Sequence, residues 1–274
     1  MKEYLGFGVA GNFANHLEQA GESNDFSDIV ADEDGAPKGI FPFYIPQSAT
    51  PLGRYCINNQ AIILPEDPSF NVQAEPEVAL ECELLYQDQK VIEVIPKFFM
   101  AFNDASVRND KNAKKLSQKK NFSPGSKAMG KKIPIDCFAH GGICDDYSLA
   151  SFLMFDDKIE LYGECSELVS YSYFYQKLID WIKNKLNTQK EFSVLEDLSE
   201  ILKQSNYPSK IIIAIGATRY THLAETRFLK RGDKIAIVVF NHKEYTIEEI
   251  KSLVHKKCIP TELKDISIIC QEVK

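Results

Sequence analysis

Two glutamates separated by a proline, Glu75-Pro76-Glu77, stand just before the apolar run Val78-Ala79-Leu80. In an extended chain, side chains alternate between faces, so Glu75 and Glu77 point the same way. Two carboxylates on one face repel each other unless a cation sits between them. Pro76 has no N–H to donate, which suits a sheet edge or the start of a strand. A third carboxylate, Asp104, lies in Phe102-Asn103-Asp104-Ala105-Ser106-Val107-Arg108, which reads as a turn. Three oxygen ligands without Cys or His suit a hard cation, Mg²⁺, Mn²⁺ or Ca²⁺, with waters left for a substrate to displace. On spacing alone, the same pattern describes a solvated acidic strand edge. A second pair, Glu81-Cys82-Glu83, shares the strand face.

Other chemistry-bearing residues form weaker patterns. Gly6-Phe7-Gly8-Val9-Ala10-Gly11 spells the dinucleotide-binding fingerprint, but only five residues precede it. No second strand follows to deliver an acid to a ribose, so the glycines are expected to serve a strand-to-loop transition. The seven cysteines are odd in number and show no CxxC spacing, which argues against a structural zinc site or a disulfide framework and fits a reducing compartment. Cys137 and Cys144 flank Gly141-Gly142 without a paired base. His140 and His222 have no partner at ligand spacing and read as structural or surface residues.

Strands must hold the carboxylates. Gln60 to Leu64, Glu77 to Tyr86, Val91 to Ile95 and Ser151 to Phe155 are strand-like runs bounded by turn formers. Helices come later. Tyr171 to Leu186 has apolar residues at helical spacing, and Ser193 with Glu196 reads as a capping box opening another helix. Lys210 to Ile215 and Lys234 to Phe240 read as buried strands. Thr246 with Glu249 caps a third helix, and Ile266 to Val273 closes the chain as a strand. Strands first and helices later predict an α+β fold rather than regular βαβ winding.

Composition narrows the function classes. The chain has 274 residues, 44% hydrophobic and 26% charged, enough for a sizeable core. Its net charge of -7 argues against broad phosphate-backbone binding, so no nucleic-acid partner is expected. The basic run from Lys111 to Lys120 is local. The start, Met1-Lys2-Glu3-Tyr4-Leu5, lacks the apolar core of a secretion signal, and no apolar run approaches the roughly 20 residues a membrane span needs. A cytoplasmic protein without a membrane partner is the expectation.

The order of these motifs resembles the fumarylacetoacetate hydrolase family. Asn12-Phe13-Ala14-Asn15-His16 is similar to the segment carrying that family's water-activating histidine. Glu75-Pro76-Glu77-Val78-Ala79 resembles its ExE metal motif. Asn103-Asp104-Ala105-Ser106-Val107-Arg108 resembles the motif bearing its third ligand. Lys120-Asn121-Phe122, followed by Gly130, is similar to its Lys-x-Phe segment. Gly216-Ala217-Thr218 and Leu229 to Ile235 resemble its terminal Gly-Thr and Leu-x-x-Gly-Asp elements. The likeness covers roughly residues 5 to 242, leaving 243–274 as a helix-strand extension of one catalytic domain spanning 1–274.

The resemblance implies a rolled, mixed β-sheet with peripheral helices and a homodimer. It implies Glu75, Glu77 and Asp104 as ligands of Mg²⁺ or Mn²⁺, with Ca²⁺ as an alternative. His16 and Lys120 become catalytic, with Gln19 in the place of the histidine's orienting partner. Arg108, Gly216 and Thr218 become substrate contacts. The implied activity is carbon–carbon hydrolysis, decarboxylation or tautomerisation of a small 2-oxo or 1,3-dioxo acid. The chain departs from the pattern in four places. Gln19 stands where the family carries Glu, with Glu18 and Glu22 nearby. Ile45 stands at a frequent lysine, Asn109 at an Asp, and Gly216-Ala217-Thr218 replaces Gly-Thr-Pro. The alternative is a degenerate member that binds metal and a carboxylate ligand without turnover. Lys119 adjoins Lys120, and only one of the two can point inward; Lys120 is chosen because it leads into Phe122.

Overall fold

The computed structural model describes residues 3–13, 16–19, 21, 26–29, 31–33, 35–256 and 263–274. The chain opens with β1 (Leu5–Ala10), the short helix α1 (His16–Gln19) and β2 (Gly39–Tyr44). Two short strands follow, β3 (Ala61–Ile62) and β4 (Val72–Gln73). Next come the long hairpin β5 (Pro76–Gln87) and β6 (Lys90–Asp104), then β7 (Ser106–Val107) and helix α2 (Leu116–Lys120). Strands β8 (Lys127–Met129), β9 (Ile133–Pro134), β10 (Tyr147–Phe155) and β11 (Lys158–Glu167) precede helices α3 (Tyr175–Thr188) and α4 (Leu198–Gln204). The last elements are β12 (Lys210–Ala217), α5 (His222–Thr226), β13 (Lys234–Asn241), α6 (Ile247–His255) and β14 (Ile266–Val273).

Two larger sheets result. The first runs β2-β1-β12-β5-β6-β8, with β9 also on β6; the second runs β11-β10-β13-β14-β3. Pairing is antiparallel except for β1 with β12 and β14 with β3, so both sheets are mixed. Alternation along β5 divides its residues between two cores. Val78, Leu80, Cys82 and Leu84 join the main apolar cluster with Leu149, Leu153, Ile237 and Ile269 of the second sheet. Ala79 faces the other way, into a cluster with Phe41, Phe43, Met100 and Phe102. On the far side of the second sheet, Ile250 and Val254 of α6 cover Val238 and Phe240. This is the α+β architecture of curled sheets with few helices that the sequence pattern predicts.

Several boundaries differ from the sequence expectation. The strand expected over 60–64 shortens to β3, whereas the one expected over 91–95 grows into the 15-residue β6. Asp104 therefore closes a strand instead of lying in a turn. Pro76 opens β5, a strand flanked on both sides, where a missing N–H does no harm. The helix expected from Ser193 begins instead at Leu198, capped by Asp197, whose carboxylate accepts from Glu200 N at 3.0 Å. Ser193 has φ +51°, outside the right-handed helical region, and Phe192 and Leu195 close a tight turn around it through their backbones. The Thr246–Glu249 capping box is present at α6.

The glycines of the amino-terminal fingerprint have a packing reason. A Cβ on Gly6 would lie 2.1 Å from the Phe43 ring, and one on Gly8 2.3 Å from the Phe41 ring. Bare backbone on β1 lets both rings lie flat against the sheet. That matters for the site, because Phe41 carries Lys120 over its face, with Nζ 5.4 Å from the ring centroid.

Candidate metal centre

The register of β5 and β6 assembles the carboxylates. Pro76 pairs with Asn103 and Glu77 with Phe102, and directly opposed residues of an antiparallel pair share a face. Asp104 N donates to Glu75 O at 3.0 Å, extending the pairing by one residue. Glu75, Glu77 and Asp104 thus fall on one face at one end of the hairpin. One ligand oxygen from each lies within 4.8 Å of the others, and all three residues are buried. Asn103 of β6 supports this end of the hairpin. Its Oδ1 accepts from Glu75 N at 3.1 Å, and its Nδ2 donates to Gln271 of β14 at 2.7 Å.

Buried carboxylates need counter-charge, and three side chains supply it. Lys120, at the end of α2, bridges Glu75 Oε1 at 2.6 Å and Asp104 Oδ2 at 2.7 Å. Lys127 of β8, with no exposed surface, reaches Asp104 Oδ1 at 2.9 Å and donates to the carbonyls of Lys120 and Ala105. Arg108 lies 3.1 Å from Glu75 Oε1 and donates to Gln73 Oε1 at 2.6 Å and Tyr220 Oη at 2.7 Å. Glu77 is held differently, by the N–H of Gly216 at 2.9 Å. Burial pushes the Glu77 carboxyl well above its ordinary range; the neighbouring charges of Asp104 and Glu75 push the same way, against Lys120 and the Gly216 N–H.

Gly216 interrupts the β12 register opposite β5, between Ala214 and Ala217. It has φ +109°, and a Cβ there would lie 3.1 Å from Asn12 Cβ. Asn12 holds this bend, donating to Ile215 O at 2.9 Å and Tyr173 O at 3.0 Å. Tyr171 Oη donates to Gly216 O at 2.7 Å. Thr218, two residues on, is buried, and its Oγ1 has no hydrogen-bond partner among the described residues.

The remaining expected residues are placed as follows. His16 opens α1, and its side chain lies outside the described residues, as do Ala14, Asn15 and Glu22. Gln19 uses both ends of its amide on the chain around α5: Oε1 accepts from Tyr220 N at 2.9 Å, and Nε2 donates to Tyr220 O at 3.2 Å and Glu225 at 2.8 Å. Arg108 lies in the carboxylate cluster. Ile45 packs against the main core. Asn109 ties Asn71 and Ser69 together. Glu81 and Glu83 pair with Lys132 and Lys97, away from Asp104. His140 and His222 are exposed beside Asp145 and Glu225. Lys119 is half-buried, whereas Lys120 is buried in the cluster.

Sequence reasoning missed Lys127, Gln73 and Tyr220. Nothing in Ser126-Lys127-Ala128-Met129 marks a lysine that will lie inside the protein. Its partner is 23 residues away, and only the pairing of β6 with β8 brings Lys127 opposite Asp104.

The donor set fits a hard divalent cation. Three buried carboxylates converge, sulfur is absent from the group, and Thr218 presents a buried oxygen that has no hydrogen-bond partner among the described residues.

The profile of a family of unknown function, DUF5718, matches residues 22–273. The chain belongs to that family. No curated protein sequence matches it. Among solved structures, Cg1458 with an inhibitor is similar at a TM-score of 0.56 and 15% identity, over 100% of this chain and 77% of that one. A 5-carboxymethyl-2-hydroxymuconate delta-isomerase from Mycobacterium smegmatis is similar at 0.50 and 16%, over 98% and 78%. A protein from Yersinia pestis CO92 assigned to the fumarylacetoacetate hydrolase family is similar at 0.50 and 15%, over 86% and 88%. At these identities the likeness concerns the fold: this DUF5718 member is a divergent form of the fumarylacetoacetate hydrolase fold. Among the described residues, no helix is long and apolar enough to cross a membrane.

Proposed function

We propose that this DUF5718 member is a divalent-metal-dependent enzyme acting on a small 2-oxo or 1,3-dioxo acid. The observation that carries the reading is the buried convergence of Glu75, Glu77 and Asp104 with an ammonium between them. Such a cluster is costly to bury for stability alone, since apolar residues would fill the same volume without desolvating charge. A Mg²⁺ or Mn²⁺ ion held by the three carboxylates would supply Lewis acidity toward the oxygens of the oxo-acid.

The chain's own groups do the rest. Lys120 places a positive charge where an enolate oxygen gains negative charge, and the buried setting strengthens that attraction. Phe41 beneath it and the Glu75–Asp104 bridge fix its ammonium in place. Thr218 Oγ1, without a hydrogen-bond partner among the described residues, would bond a substrate oxygen. Arg108 holds Glu75 in position through Gln73 and Tyr220. His16, carried by α1, is the base for hydrolysis if the reaction uses water. Gln19 holds α1 against Tyr220, so it serves as an anchor of that helix.

A second reading, binding without turnover, is favoured by one observation. Lys120, Lys127 and Arg108 already match the three carboxylates in charge, so the cluster can persist without an ion. Metal analysis of the purified protein separates the readings when joined to turnover assays with oxaloacetate and an acylpyruvate in Mn²⁺. One ion per chain with turnover supports the enzyme; one ion without turnover supports the binder. Protein that takes up no divalent ion contradicts both.

A further inference from the structure

We propose that the segment from Gln189 to Asp197 is a brace that sets the position of Lys120, and that Glu196 is its latch. This rests on the role assigned to Lys120 above. The segment connects α3 to α4 and touches both elements that surround Lys120. On the α2 side, Leu116 N donates to Val194 O at 3.0 Å, and Ser117 Oγ donates to Glu196 Oε1 at 2.5 Å. Lys115, at the start of α2, donates to the carbonyls of Ser193 at 3.0 Å and Leu195 at 2.9 Å. On the β2 side, Gln189 forms a two-way amide pair with Ile40, at 2.9 Å and 2.6 Å, and also donates to Glu196 O at 3.0 Å. Leu195 fills the space over Gly39, where a Cβ would lie 2.3 Å from its methyl carbon. Next to Ile40 stands Phe41, the ring beneath Lys120.

A five-residue helix has little stability of its own, so α2 depends on such contacts. The hydrogen bonds on the α2 side act on Lys115, Leu116 and Ser117, at its start, and Lys120 is its last residue. Glu196 is therefore a positioning residue that acts through Ser117 and α2.

The latch is sensitive to protonation. Glu196 Oε2 is buried and has no hydrogen-bond partner among the described residues. Burial raises the carboxyl to about 7; the Ser117 hydrogen bond and Lys115 oppose the shift, and Glu191 adds to it. These are the charged and titratable groups that act on it, Lys115 from the α2 side and Glu191 from its own segment. Below that value the neutral acid sits comfortably under Ser117. Above it the buried carboxylate favours release to solvent, which frees α2.

Hydrogen–deuterium exchange of the peptide covering 114–121, measured on the full chain at pH 6 and 8.5 and corrected for intrinsic rates, tests this. Wild type should exchange at least about tenfold faster at pH 8.5 than at pH 6. Glu196→Gln keeps the acceptor for Ser117 but cannot ionise, and should remain protected at both pH values. Ser117→Ala should lose protection at both. Peptides from β13 and β14 should be unchanged, which confirms that each variant folds. Equal protection of 114–121 in wild type and both variants would overturn the brace. A pH dependence in Glu196→Gln equal to that of wild type would overturn the latch. The readout needs neither metal nor turnover, so failure of the enzymatic reading and failure of the brace are distinguishable.

Discussion

Lys127 is the residue whose removal says most about the carboxylate cluster. It is wholly buried and pairs with Asp104, which also receives Lys120. Lys127→Met keeps much of the volume but leaves Asp104 short of one counter-charge. Breaking a buried ion pair from one side costs about 3–5 kcal/mol. Thermal melts should therefore show a clear loss of stability, and Mn²⁺ should restore more of it in the variant than it adds to wild type. Equal effects of Mn²⁺ on the two proteins would show that the ion does not enter this cluster. Gly216 allows a second test at the same scale. Gly216→Ala must hold a side chain at φ +109° against Asn12, a strain of about 1–3 kcal/mol. The N–H that bonds Glu77 moves with it. Weaker cation binding, measured by titration calorimetry, is expected to accompany the lower melting temperature.

At the scale of elements, the site depends on how short pieces are tied down. Gln19 fastens α1 to Tyr220 and Glu225. Gln19→Glu removes the donor to Tyr220 O and sets a carboxylate against Glu225, so it should loosen α1 and cost about 1 kcal/mol. A chemical melt reads this; unchanged stability would remove Gln19 from the anchoring role. Glu196 gives a pH dependence whose sign is fixed. Its carboxyl is raised from an ordinary 4.5 to about 7 in the folded chain. Its contribution to stability is thus complete below about pH 4.5 and fades as pH rises through about 7. Wild type should lose stability relative to Glu196→Gln between those limits, as measured by denaturant titration; parallel curves would contradict the assignment.

The elements also show how much the sequence could disclose. Alternation along 77–86 and the apolar runs at 210–215 and 234–240 mark buried strands, because each is governed by its own residues. The pair Glu75 and Glu77 was legible for the same reason, since two positions in one strand share a face whatever the rest of the chain does. Lys127 and Glu196 were not. Ser193-Val194-Leu195-Glu196 has the form of a capping box, yet Ser193 adopts a positive φ and Glu196 turns to Ser117, 79 positions away. Contacts made across sheets leave no local pattern, so the countercharges and the brace became visible only once β6 met β8 and the α3–α4 segment met α2.

For the whole molecule, two mixed sheets pack around the main apolar core, and the carboxylate cluster lies at an end of the first sheet. The carboxy-terminal strand β14 is part of this framework. It pairs with β13 and β3, and its Gln271 reaches Asn103 beside the carboxylates, as well as the carbonyls of Asn58 and Gly125. The central claim is that Glu75, Glu77 and Asp104 bind a divalent cation. Asp104→Ala would leave two buried lysines short of a partner, so Glu77→Gln, which disturbs no ion pair among the described residues, is the cleaner probe. The direct measurement is Mn²⁺ titration of wild type and Glu77→Gln at neutral pH, followed by electron paramagnetic resonance of the free ion. The account predicts one site per wild-type chain and affinity weakened about tenfold or more in the variant, a loss of about 1.4 kcal/mol or greater. Equal binding by the two proteins, or none by wild type, would contradict it.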